Sequence, residues 1–260
     1  MTPSYERYDS HEVYGFTKPG PLIVTCEHAS NRIPAPLRTN ATDREWLSTH
    51  WGVDIGARTV CRELIRSTRS IGVFARFSRL LADANRDPSH AHLIRCAVEG
   101  HVLSFNSRLT IEEVDRRLEC YHAPYHAAVD RVVDARMAEP EDVMLLSVHS
   151  FTPKLGDEVR QMDVGVLFDP FEAVARRLQS EIANEGLKVA LNEPYSGRNG
   201  LMYSALRHGA AHNAVYLELE INQKLINTPA DARKMGRTLA RVLGQLRVRS
   251  RAQPLEQEAS

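Results

Sequence analysis

Apolar runs of strand length alternate along this chain with stretches of helical period, and the arrangement that buries both kinds of segment is a mostly parallel sheet covered by helices. PLIVTCEH (21–28), IGVFARF (71–77), DVMLLSVHS (142–150), MDVGVLFD (162–169), LKVALN (187–192) and NAVYLELEIN (213–222) read as strands. DIGARTVCRELIRS and PFEAVARRLQSEIANEG read as amphipathic helices, the second closed by Gly186, and a helical pair is expected near 103–119 and 122–138. A last helix opens at TPADARK, with Thr228 as cap, Pro229 in the first turn and Asp231 three residues after the cap. The expected fold is therefore α/β, a mostly parallel mixed sheet with helices on both faces. No repeat or linker divides the chain, so residues 1–246 are expected to form a single domain, followed by a flexible tail at 247–260.

Charge and cysteine usage exclude several classes. Lys and Arg total 33 against 33 for Asp and Glu, which leaves no global field to attract nucleic acid or an anionic membrane. No run reaches the about 18 apolar residues a spanning helix needs, and MTPSYERYDS lacks a signal-peptide core, so a soluble cytoplasmic protein is expected. Cys26, Cys61, Cys96 and Cys120 contain no C-x-x-C pair and are expected to be buried free thiols rather than a disulfide frame or a thiolate zinc site. Oligomeric state is not legible.

Chemistry concentrates where strands end, because open α/β sheets bind ligands beyond the carboxyl ends of their strands. Four such ends are unusually polar: CEH at 26–28, VHS at 148–150, NEPYSGRNG at 192–200 and LELEIN at 217–222. A histidine at a strand end is ordinarily structural, but His28 and His149 together, with acids nearby, make the neutral imidazole and carboxylate set of a catalytic zinc. HAPYHAAVD puts His122 and His126 on one helical face, yet no H-E-x-x-H glutamate accompanies them, so a structural role is expected.

VTCEHASNRIP, WGVDIGA, SRLLADANRDP, SVHSFTP, DVGVL, NEPYSGRNG and LELEIN follow one another in the order of the N-formylglutamate amidohydrolase family, and the chain resembles that family over roughly residues 20–228. The resemblance implies a zinc-exopeptidase-like fold and hydrolysis of N-formyl-L-glutamate to formate and glutamate in histidine degradation. It implies one divalent metal, zinc by expectation, held by His28 and His149. The third ligand stays open between Asp54 in WGVDIGA, which is preferred, and Glu27, whose side chain should leave the opposite face of a regular strand from His28. His-x-x-Glu, common in relatives, is absent because Asn31 stands three residues after His28.

The catalytic base is expected in LELEIN, where period-two spacing puts Glu218 and Glu220 on one strand face, with Glu220 matching the family position better. A dianionic substrate needs cationic anchors. Arg86, with Asn85 beside it, resembles the Asn-Arg pair that holds a substrate carboxylate in related hydrolases; Arg198 is the second choice, with Tyr195 and Ser196 shaping the pocket, and Arg32 the third. Two competing classes are a thiol amidase using Cys26, which would share a strand face with His28, and a non-catalytic binder of an acidic metabolite.

Overall fold

The described residues of the computed structural model are 4–7, 9–139 and 143–246; the tail expected at 247–260 lies outside them. The chain runs through β1 (Ser4–Arg7), β2 (His11–Gly15) and β3 (Leu22–Cys26), then α1 (Ala41–Leu47) and α2 (Ala57–Thr68), to β4 (Ile71–Ala75). A long segment carrying the small hairpin β5 (Ala97–Val98) and β6 (His101–Val102) leads to α3 (Ile111–Arg117) and α4 (Ala123–Met137). After β7 (Met144–Phe151), a second hairpin, β8 (Lys154–Leu155) and β9 (Glu158–Val159), precedes β10 (Val164–Leu167), α5 (Glu172–Asn184), β11 (Val189–Leu191), α6 (Tyr203–Ala211), β12 (Val215–Asn222) and α7 (Pro229–Gln245).

Eight of these strands form one mixed sheet in the order β1-β2-β4-β3-β7-β12-β10-β11. The central strands β4, β3, β7 and β12 run parallel, and the antiparallel contacts lie to either side, at β1/β2, β2/β4 and β12/β10. All six expected strands are present. β1 and β2 were not anticipated: neither has an apolar run of its own, and β2 is held by antiparallel pairing with β4, and β1 by pairing with β2. The helical pair is shifted, because α3 begins only after Thr110, whose hydroxyl accepts from Glu113 N. Residues 118–122 then widen into a π-turn before α4, next to Pro124, which has no N–H to give to the helix ladder.

Alternation along the central strands divides two cores. Leu217, Leu219 and Ile221 of β12, Leu146 and Val148 of β7, and Val24 and Cys26 of β3 pack with α2, α5 and α7 on one face. Tyr216, Leu145 and Ile23 point to the other face, against α4 and α6. Helices therefore cover both faces, as the sequence pattern implies. Where the second face runs on toward the carboxyl ends of β7 and β12, its positions turn polar: Ser147, His149, Glu218 and Glu220, all buried. None of the helices among the described residues is long and apolar enough to cross a membrane.

Candidate metal centre

β3 ends at Cys26, and the chain turns at Glu27 and His28. The turn breaks the strand's alternation, so His28 and Glu27 both reach the polar side of the sheet instead of opposite faces. His149 remains within β7, opposite Glu220 of β12 in the parallel register. Asp54 arrives from the loop before α2, where its backbone N–H donates to His28 O (3.0 Å) and its Oδ2 accepts from Ser150 N (3.2 Å).

Three ligand atoms converge. His149 Nδ1 lies 3.0 Å from His28 Nδ1 and 2.8 Å from Asp54 Oδ2, and His28 Nδ1 is 3.4 Å from the same Oδ2. The opposite nitrogen of each ring faces a different carboxylate: His28 Nε2 is 2.7 Å from Asp83 Oδ1, and His149 Nε2 is 3.1 Å from Glu27 Oε2. A ring that donates Nε2–H to a carboxylate presents a lone pair at Nδ1, so two lone pairs and an Asp54 oxygen face one point. That donor set fits a divalent ion of the zinc kind. Glu27, the competing third ligand, sits instead behind His149, where it accepts from Ser147 Oγ (2.7 Å) and Tyr125 Oη (3.0 Å).

Electrostatics favour a cation here. Burial would raise the Asp54 carboxyl, but when the inner ring nitrogens carry protons the charge of His28 and hydrogen bonds from both histidines hold it well below the usual range, and a metal ion would take the place of those protons. Asp83 is held down in the same way, burial being outweighed by Arg79 and His28. Glu218 and Glu220 behave oppositely. Burial pushes Glu218 up to about 7, with the charge of Glu27 adding to it. Burial also pushes Glu220 well up, with Asp54 and Glu218 reinforcing it against the pull of His149, and among the described residues its Oε2 has no hydrogen-bond partner.

The centre opens into a cleft of about 390 Å³ lined by His28, Asp54, His149, Glu218 and Glu220. Asn85 and Arg86 line it too. Asn85 Oδ1 accepts from Ser204 N (2.9 Å) at the start of α6, and its Nδ2 donates to Glu218 Oε2 (3.3 Å). Arg86 Nε lies 3.3 Å from Asp83 Oδ2, with Nη1 2.9 Å from His90 Nε2. Tyr195 is at the rim, its hydroxyl 3.4 Å from Arg160 Nη2. Ser196 and Arg198 are not among the lining residues: Arg198 is 54% exposed, pairs with Glu172 (2.6 Å) and stacks on Phe168, 5.0 Å from its centroid. Arg32 is spent on Arg76 O (2.7 Å) and Asp9.

Cys26 does not reach the cleft. It is wholly buried in the core on the far face, and its hydrogen bond with Cys61, with burial, pushes the thiol well up, against a nucleophilic thiolate. Cys61 is buried as well, whereas Cys96 and Cys120 are exposed, contrary to expectation. His122 and His126 belong to a buried structural cluster: His122 Nε2 is 3.0 Å from Arg86 O, and His126 Nδ1 is 2.8 Å from His208 Nε2.

Several cleft residues escaped sequence reasoning. Asp83 and Arg79 lie inside SRLLADANRDP, and Arg79 Nη2 bridges to Asp83 Oδ2 (2.9 Å) with Nη1 3.7 Å from Asp54 Oδ1. Spacing gave no signal for either, because both stand on an irregular segment. That segment is fixed by fully buried Arg117, which donates to Leu81 O (3.1 Å), Phe105 O (2.7 Å) and Asn106 Oδ1 (2.6 Å).

The fold and the chain's motifs have relatives among known proteins. A crystal structure of an Agrobacterium tumefaciens gene product is similar at TM-score 0.84 and 27% identity, over 92% of this chain and 95% of that one. The crystal structure of an N-formylglutamate amidohydrolase from Ralstonia eutropha JMP134 is similar at TM-score 0.72 and 20% identity, over 92% of this chain and 98% of that one. No match was found among curated proteins. The sequence profile of the N-formylglutamate amidohydrolase family matches residues 20–227, and the chain belongs to that family.

Proposed function

We propose that the chain is a metal-dependent amidohydrolase that cleaves N-formyl-L-glutamate to formate and L-glutamate, the step expected in histidine degradation. The observation that carries the reading is the convergence of His28 Nδ1, His149 Nδ1 and Asp54 Oδ2, each imidazole backed by its own carboxylate, at the carboxyl ends of β3 and β7. A zinc ion held there would supply Lewis-acid activation of water and of the substrate carbonyl.

The chain's own groups supply the rest. Glu220 is the general base: it lines the cleft beside the three ligand side chains, and among the described residues its Oε2 has no hydrogen-bond partner, which leaves that oxygen to take a proton from the attacking water. The same carboxyl then delivers that proton to the departing glutamate nitrogen, which leaves poorly unless protonated. Glu218, tied to Asn85, stands beside it as a second acid of the cleft. Arg79 lines the cleft between Asp83 and Asp54 and is placed to balance negative charge that develops on the carbonyl oxygen. Arg86 is the anchor for one substrate carboxylate.

Stripping the protein with a strong chelator and assaying it on N-formyl-L-glutamate tests the reading. Activity is expected to vanish with the metal and return with zinc. Full activity in protein shown to be metal-free would refute the metal chemistry, and hydrolysis of other N-acyl amino acids but not this one would refute the substrate.

A further inference from the structure

Three arginines, Arg79, Arg86 and Arg95, line the cleft, and their charges are not equally committed. Arg79 is bound to Asp83 and Asp54, and Arg86 to Asp83 and His90. Among the described residues Arg95 has no ion pair; its guanidinium carbon lies 5.3 Å from the centroid of the Trp51 ring, itself in the cleft wall. Burial and the neighbouring charges of Arg86 and Arg79 work against the Arg95 cation. A partly buried cation crowded by like charges is costly until an anion joins it.

Arg95 is also held in place. Its carbonyl oxygen accepts from Asn106 Nδ2 (2.7 Å), and Asn106 is clamped by buried Arg117 (2.6 Å). A guanidinium stacked on an aromatic face keeps its edge N–H groups free for a planar, two-toothed grip on a carboxylate.

We infer that Arg95, braced on Trp51, binds the side-chain carboxylate of the substrate and makes the cleft select acidic over neutral N-acyl amino acids. The inference rests on the N-acyl amino acid reading above, in which Arg86 takes the other carboxylate. Arg95 is a specificity residue with no part in bond breaking.

The test compares kcat/KM for N-formylglutamate with that for its neutral isostere, N-formylglutamine, in the wild type, Arg95→Gln and Arg95→Lys. The wild type is expected to prefer the acid, and Arg95→Gln to lose about 10- to 100-fold of that preference through KM, as for a lost hydrogen bond to a charged group. Arg95→Lys should recover part of it. A structural role would lower both substrates alike and leave the ratio standing, which would overturn the inference, as would a wild type indifferent to the side-chain charge. Calorimetric binding of glutarate against butyrate supplies a readout without turnover: the wild type should favour the dicarboxylate, and Arg95→Gln should not. An equal glutarate preference in Arg95→Gln sinks the inference alone, whereas a lost preference in a protein that hydrolyses no N-acyl amino acid sinks the hydrolase reading alone.

Discussion

At the scale of single residues the decisive contact is between two ring nitrogens, His28 Nδ1 and His149 Nδ1, 3.0 Å apart with Asp54 Oδ2 beside them. Lone pairs aimed at one another repel unless a proton or a metal lies between them, and Asp83 and Glu27 hold the outer nitrogens in the orientation that aims the inner ones. Asp83→Asn weakens that hold, so metal affinity is expected to fall about 10- to 100-fold, read by competition with a zinc indicator; unchanged affinity would remove Asp83 from the account. Glu220→Gln keeps the volume of the side chain and removes the base. Its kcat should drop by about 10²- to 10⁴-fold with metal retained. A near-normal kcat there and a loss in Glu218→Gln would move the base two residues up the strand. Both glutamates were legible in LELEIN because a period of two cannot hide which residues share a face. Asp83 was not, since an acid on an irregular loop carries no periodic signature.

At the scale of elements the site depends on where β3 stops. Had the strand continued through His28, Glu27 and His28 would point apart, and Cys26 would share the face of His28. The turn after Cys26 reverses both expectations, and a sequence shows strand composition more clearly than strand end. The loop that delivers Asp54 has a comparable dependence. Gly56 caps α2 with φ of 81°, and a Cβ there would strike Ile226 O and come within 2.9 Å of Ile226 Cβ. Gly56→Ala is therefore expected to destabilise the fold by about 1 to 3 kcal/mol, the usual range for a left-handed non-glycine residue, and to weaken metal binding by shifting Asp54. Denaturant melts with and without zinc check both effects. An unchanged midpoint would show that α2 and the loop before α7 yield at no cost.

At the scale of the whole molecule the sheet order explains why these side chains meet. From β3 the chain crosses to β4 on one side and later returns to β7 on the other, so the carboxyl ends of β3 and β7 form the switch point at which α/β sheets open a crevice. Strands β3, β4, β7, β10, β11 and β12, the two covered faces and the polar strand ends were all readable, because each carries an apolar run or a break in one. Strands β1 and β2, the helices α1 and α6 and the cleft arginines Arg79 and Arg95 were not, because what places them is contact with the rest of the fold rather than a pattern of their own; Arg86, the third cleft arginine, was read from its motif. Arg198 shows the limit most plainly: a motif position beside a polar strand end looked like a substrate anchor, and the loop turns it outward to Glu172. The central claim is that His28, His149 and Asp54 hold one divalent ion, and elemental analysis of purified wild type, His28→Ala and His149→Ala, each shown to be folded by circular dichroism, tests it most directly. The account predicts about one ion per chain in the wild type and little in either variant; full metal content in both folded variants would contradict it.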